Sequence, residues 1–183
     1  MRVITGSARG CRLKELEGME TRPTTDRVKE GLFNIIQFDI EGRKVLDLFA
    51  GTGQLGIEAL SRGAASAVFV EKRMDAVRLI RENLAVCDLT ENAHVHAGDA
   101  LSYLKSGEKF DLIFLDPPYA ADLLEQALET IMMFDICRAH GIIVAESAVE
   151  KELPPVVPPY RLYREYRYGK IKLTVYHRDG NED

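Results

Sequence analysis

The chain has 183 residues, 46% of them hydrophobic, and a formal net charge of −5; that is apolar material for one α/β domain with a full core and a small appendage. No apolar run approaches the ~20 residues needed to span a bilayer, and Met1-Arg2-Val3-Ile4-Thr5-Gly6 turns polar too early for a secretion signal, which excludes a membrane partner. Cys11, Cys87 and Cys137 are odd in number, far apart and in no CxxC pair, so the expectation is free thiols in a cytoplasmic protein, with neither a disulfide framework nor a zinc knuckle.

In chain order, Val3-Ile4 reads as a small strand. Arg22-Pro23-Thr24-Thr25-Asp26 breaks the chain and offers a helix cap, after which Val28, Leu32, Ile35 and Ile36 recur at helical spacing. Residues 44–49 form a short apolar run ending in glycines, as expected of a buried parallel strand. A helix over 55–61 stops near Gly63, and a second strand covers 67–71. Met74, Val77, Ile80 and Leu84 mark the next helix, and 93–97 and 110–115 read as a third and a fourth strand. A helix over 123–133 and a fifth strand over 141–145 complete the alternation. Strands alternating with helices predict a Rossmann-like, doubly wound sheet of the α/β class. Pro154, Pro155, Pro158 and Pro159 make a linker. Residues 160–168 and 170–177 read as two strands about Gly169, with Ile171, Leu173 and Val175 alternating with Lys170, Lys172 and Thr174. The natural division is an N-terminal extension, 1–40, and a main domain, 41–183.

Asp47-Leu48-Phe49-Ala50-Gly51-Thr52-Gly53-Gln54-Leu55-Gly56 has the order strand, turn, helix, and its glycines let the backbone approach a ligand at the carboxyl edge of the sheet. Glu71 closes the next strand, where a carboxylate can accept from both ribose hydroxyls. Taken alone, Gly51-x-Gly53-x-x-Gly56 with an acid about 20 residues on also fits a nicotinamide-binding fingerprint. Two acids favour S-adenosylmethionine instead. Asp47 lies in the strand before the turn, placed to face the cofactor's methionine end, and Asp99, in Gly98-Asp99-Ala100, can accept from the adenine amine. The candidate cofactor set is therefore Asp47, Phe49, Ala50, Gly51, Thr52, Gly53, Glu71, Lys72, Asp99, Ala100 and Asp116. No metal site is visible: His94, His96, His140 and His177 form no ligand set with a nearby cysteine.

The fourth strand ends in Asp116-Pro117-Pro118-Tyr119, the candidate catalytic residues. An exocyclic base amine is a poor nucleophile because its lone pair is delocalised into the ring. Two acceptors gripping its hydrogens favour the tetrahedral shape it needs to attack a sulfonium methyl. The Asp116 carboxylate is one and the Pro117 carbonyl the second, stiffened by fixed proline dihedrals. Tyr119 offers a flat face for a splayed-out base, worth about 1–3 kcal/mol. With a donor that carries its own leaving group, the protein mainly aligns and stabilises charge. Asp116 need not be a strong base, because the amine becomes acidic only as the methyl arrives.

Asp-Pro-Pro-Tyr after a strand is shared by methyltransferases of adenine N6, cytosine N4 and guanine N2. A narrower likeness comes from Arg22-Pro23-Thr24-Thr25-Asp26-Arg27-Val28-Lys29-Glu30-Gly31-Leu32-Phe33-Asn34. Taken with the Val45-to-Gly53 segment, the Glu71 strand, Phe114-to-Tyr119 and Tyr168-Gly169-Lys170, it resembles the RsmD family of 16S ribosomal RNA guanine-N2 methyltransferases, over nearly the whole chain. The resemblance implies a seven-stranded methyltransferase sheet, mostly parallel, with a C-terminal antiparallel hairpin. It also implies S-adenosylmethionine as cofactor and a base of 16S rRNA in assembling or assembled small subunits as target. A monomer is expected. Gln54, where a smaller residue is usual, and Glu146-Ser147-Ala148, where the family tends to carry a histidine, depart from the pattern.

Charge distribution suits such a partner. Residues 1–44 hold nine Lys/Arg against seven Asp/Glu, 45–159 nine against eighteen, and 160–183 six against four, so an acidic middle lies between two basic ends. Arg9, Arg12, Lys14, Arg22 and Arg27 in the extension, and Arg167 and Lys170 in the hairpin, are the candidate RNA contacts. The extension has few apolar residues to order it otherwise, and the hairpin equally fits an ordinary solvated face. Three other readings compete: an adenine-N6 methyltransferase, a nicotinamide-dependent oxidoreductase that would leave Asp-Pro-Pro-Tyr unexplained, and a non-catalytic assembly factor.

Overall fold

The computed structural model describes residues 1–17, 26–118 and 122–180. The elements are α1 (Asp26–Ile35), β1 (Lys44–Asp47), α2 (Gln54–Ser61), β2 (Ser66–Glu71), α3 (Met74–Val86), β3 (Ala93–Ala97), α4 (Ala100–Leu104), β4 (Phe110–Leu115), α5 (Leu123–Phe134), β5 (Cys137–Ala148), β6 (Tyr160–Tyr168) and β7 (Ile171–Arg178). The strands form one seven-stranded sheet in the order β3-β2-β1-β4-β5-β7-β6. The first five are parallel, and β7 and β6 are antiparallel. The expected architecture holds. Strand order reverses between β1 and β4, where an open sheet leaves a crevice for ligands.

Apolar runs such as Phe110–Leu115 are continuous rather than alternating because helices cover both faces of the sheet. On one face α1, α2 and α3 bury Phe33, Ile57 and Ile80 against Val45, Phe69, Phe114 and Val144. On the other, α5 and α4 bury Leu128, Ile131 and Leu104 against Leu46, Ile113 and Ile143. The C-terminal hairpin is fastened to the end of α5, where Arg178 clamps Asp135 through Nη2 at 2.7 Å and Nε at 2.8 Å while the Tyr160 hydroxyl donates to it at 2.7 Å. That cluster holds the Asp135 carboxyl at about 2, chiefly through Arg178.

Four local expectations change. Val3-Ile4 forms no strand; an isolated antiparallel bridge joins Arg2 to Arg12. Residues 137–140 join β5, through a register shift between Phe110 and Leu112 and a left-handed His140 (φ 62°), so the strand is longer than its apolar run. Helix α4 has five residues, too few to show a period, and is started by the Asp99 carboxylate, which accepts from the Ser102 N–H at 2.9 Å. Finally, Cys11 and Cys87, read as free thiols, are joined in a disulfide with their Cα atoms 5.9 Å apart. Spacing along the chain could not show this, because the turn at residues 6–10 and the end of α3 meet only in the fold. Cys137 is free and buried.

The extension is better ordered than its composition suggests. Val3, Ala8 and Leu13 enter the core under α1 and α2. Its backbone is bound by side chains of the main domain: Glu58 accepts from Ile4 N–H at 2.7 Å and Thr5 N–H at 3.1 Å, and the Ser61 hydroxyl accepts from Ala8 N–H at 2.9 Å. Those long-range bonds replace the apolar residues that the segment lacks.

Candidate active site at the carboxyl edge of the sheet

After β1 the chain makes a tight glycine turn into α2. Gly51 and Gly53 have φ of 56° and 83°, a region unfavourable to side chains. At Gly53 a Cβ would also stand 3.2 Å from Ile80 and 3.3 Å from Ile57. The turn is held from two sides. Glu71 accepts from Gly51 N–H at 2.9 Å and from Arg73 N–H at 3.1 Å. Behind it, the fully buried Asn83 of α3 donates to the Thr52 carbonyl at 3.0 Å.

Asp47 is 2% exposed, and it accepts from Gly56 N–H at 3.0 Å. Burial pushes its carboxyl up to about 8; the Gly56 bond opposes this, and the nearby Asp116 and Glu71 charges add to it. Strand register explains the proximity. Asp47 pairs with Phe114, so Asp116, two residues further along, continues the same face. Val144 pairs with Phe114 as well, so Glu146, 2% exposed, lies on that face too. Three adjacent strands therefore carry acids on one side of the sheet near its carboxyl edge. Alternation within single strands could mark each acid as inward-facing, but only the register brings the three together, and Glu146 was not among the expected site residues.

Against this edge lies a cavity of about 420 Å³ whose wall includes Leu48, Phe49, Glu71, Lys72, Asp99 and Asp116, and also Ala100, Leu101, Pro118 and Leu123. Of the residues singled out in the sequence, Phe49, Glu71, Lys72, Asp99, Ala100, Asp116 and Pro118 line this one cavity. Asp47, Ala50, Gly51, Thr52 and Gly53 are not among its lining residues; they shape it from behind. Leu101 and Leu123 had not been expected there. They supply apolar surface from the first turns of α4 and α5; the five residues of α4 carry no period, and only packing decides which end of the longer α5 meets the cavity. Asp99 is held below the usual carboxylate range, first by the Ser102 N–H and also by the Lys72 charge. Asp116 is half-buried, Pro117 buried and Pro118 exposed, while Tyr119 lies outside the described residues. The donor set suits S-adenosylmethionine: carboxylates at two successive strand ends border an apolar slot, and a third acid lies behind the glycine turn.

Residues 1–177 match the family described as "Conserved hypothetical protein 95". YlbH of Bacillus subtilis (strain 168) is 42% identical, covering 98% of this chain and all of that protein. Ribosomal RNA small subunit methyltransferase D of Escherichia coli (strain K12) is 37% identical over 98% of this chain and 90% of its own length. The solved structure of yhhF from Escherichia coli superposes with a TM-score of 0.89 at 37% identity, covering 99% of both chains. The chain belongs to the RsmD family. Its fold is that of the S-adenosylmethionine-dependent methyltransferases.

In this RsmD-family chain the expected RNA contacts fall in two groups. Arg9, Arg12, Lys14 and Arg27 are exposed on the extension and α1; Lys14 pairs with Glu82 at 3.3 Å. Arg167 and Lys170 are exposed at the β6–β7 turn. Ile171 pairs with both Tyr168 and Ala148, which puts that turn at the same carboxyl edge as the cavity. Arg22, with the rest of 18–25, lies outside the described residues. Among the described residues no helix is long and apolar enough to cross a membrane.

Proposed function

We propose that the chain transfers a methyl group from S-adenosylmethionine to the exocyclic N2 amine of a guanine in small-subunit ribosomal RNA. The observation that carries the reading is Asp116, just after β4, beside Asp47 and on the wall of the cavity, with Pro118 of the same loop on that wall. The Escherichia coli relative's name supports the RNA as substrate class. The choice of guanine rests on the wider likeness to the RsmD pattern.

Bound there, the cofactor supplies an electrophilic methyl on a sulfonium. The chain's own residues do the rest. Glu71 and Asp99 hold the nucleoside, and Asp47, behind the Gly51-Thr52-Gly53 turn, faces the methionine end. The Asp116 carboxylate and the Pro117 carbonyl accept the two amine hydrogens, turning the nitrogen lone pair toward the methyl. Once nitrogen carries four bonds, Asp116 or water takes the surplus proton. Tyr119 stacks on the base, and Arg9, Arg12, Lys14, Arg22, Arg27, Arg167 and Lys170 contact the backbone of RNA. The protein acts as a cytoplasmic monomer on assembling or assembled subunits, with residues 1–40 as an RNA-contacting extension and 41–183 as the catalytic unit.

The test is to incubate the chain and its Asp116→Ala variant with methyl-labelled S-adenosylmethionine and small subunits from a strain lacking the activity, then digest the RNA. The expected result is labelled N2-methylguanosine from the parent chain alone. Label in N6-methyladenosine would replace guanine by adenine, and no label in RNA would overturn the assignment.

A further inference from the structure

Strand β6 is an edge of the sheet, and its residues 161–165 are exposed. Its pairing with β7 shifts register between Leu162 and Arg164: Leu162 pairs with Tyr176, Arg164 with Val175, and Tyr163 is the extra residue. The bulge sends Tyr163 and Arg164 to one face although they are neighbours in sequence. On that face the Tyr163 ring stacks on His177 at 4.2 Å and 10°. The Arg164 guanidinium lies 5.7 Å from the Tyr163 ring centre and 5.9 Å from that of Tyr166. Tyr168 ends the row against α1, where a Cβ on Gly31 would stand 2.6 Å from its ring. The row runs Tyr163, Arg164, Tyr166, Tyr168, and its last member adjoins the β6–β7 turn at the carboxyl edge of the sheet.

We propose that this face of β6 binds the unpaired RNA strand flanking the target base, with Tyr163 as a stacking platform and Arg164 bridging to the phosphates. The inference rests on the rRNA reading above and names the form of RNA that the protein holds. Tyr163 is 46% exposed and already backed by a parallel ring, so a base that stacks on it extends an existing stack. A guanidinium lying over aromatic rings keeps its in-plane donors for phosphate while its faces stay apolar. Register places Glu165 on the opposite side of the strand, where it pairs with Lys172 at 3.6 Å, so this row carries no acid. Duplex RNA hides its bases and offers nothing to the tyrosine; an unpaired strand offers both faces. The same register sends Arg167 to the Glu165 side, away from the row.

The test measures binding of the full chain to a fluorescent unpaired oligoribonucleotide and to the same strand annealed as a duplex. Tyr163→Ala and Arg164→Gln each should bind the unpaired strand roughly tenfold more weakly, the loss of about one stacked base, with duplex binding unchanged. Unaltered S-adenosylhomocysteine affinity shows that the site still folds. If both variants bind the unpaired strand like the parent while Arg9→Gln/Arg12→Gln weakens it, the row is not an RNA surface and the rRNA reading stands. If the parent binds neither RNA, the proposal fails, while the rRNA reading is decided by methyl transfer to small subunits. A variant that alters the oligomeric state instead marks this edge as a contact between copies and overturns the proposal.

Discussion

The Asn83 side-chain amide donates to the Thr52 carbonyl at 3.0 Å, and through the same nitrogen to the Lys14 carbonyl at 3.2 Å, while its oxygen accepts from Lys14 N–H at 2.8 Å. One buried amide therefore joins the glycine turn of the cofactor site to the basic N-terminal extension. Asn83→Ala would leave three backbone groups without this partner, the buried Thr52 carbonyl and the half-buried N–H and carbonyl of Lys14. The expected cost is about 2–3 kcal/mol in denaturant unfolding. Calorimetry should also show a severalfold weaker S-adenosylhomocysteine complex; an unchanged affinity would mean that the turn holds its shape without Asn83.

Lys29 and Glu58 form an ion pair at 3.3 Å with side chains 1% and 0% exposed. Burial lowers the Lys29 pKa, and the Glu58 charge opposes that shift. Lys29→Met keeps the volume but leaves a buried carboxylate to Arg62 and two backbone N–H groups. We expect a loss of about 3 kcal/mol in denaturant unfolding. Adding Glu58→Leu should not restore stability, because Glu58 also binds Ile4 and Thr5 N–H. Full recovery in the double variant would show that the extension does not depend on this carboxylate.

Asp47 makes stability depend on pH. Its carboxyl is at about 8 in the folded chain against an ordinary 3.8. At pH below 3.8 it is protonated in both states. Between the two values the unfolded chain ionises and the folded chain does not, so stability falls with rising pH, by at most about 1.4 kcal/mol per unit. Above the folded value the loss is complete. Asp47→Asn, which can still accept from Gly56, removes this slope. Denaturant midpoints for the two proteins should therefore diverge between pH 4 and 8 (about the span of the two values); parallel curves would show that Asp47 is ionised when folded.

The Cys11–Cys87 disulfide spans 76 residues. In the loop-closure account a bridge of that span stabilises by about 4 kcal/mol, less any native strain. Cys11→Ser/Cys87→Ser should lower the melting temperature of the oxidised protein, and dithiothreitol should lower the parent's but not the variant's. Alkylation of the native, non-reduced protein is expected to spare both cysteines. Their rapid modification would show that the bond is not formed.

The cofactor turn and the end of β4 were legible because their signals are local. Asp47 to Gly56 is one strand, one turn and one helix start. Phe110 to Pro118 is an apolar run stopped by prolines. The hairpin strands were visible for the same reason, down to the bounds of β6. Helix α4 and the lengthening of β5 were not, since five residues carry no period and Arg138 to His140 look like a loop.

From the sequence alone came the order of the elements, the class of the sheet and the acids and glycines at its carboxyl edge. These follow from periodicity and backbone restriction within about ten residues. Only the tertiary structure decided which distant groups meet. It joined Cys11 to Cys87, bound the extension with Glu58, Ser61 and Asn83, and set Asp47, Asp116 and Glu146 on one face. A bulge in β6 turned Tyr163 and Arg164 to the same side. Such pairings depend on register and packing between segments far apart in the chain, and no local pattern encodes them.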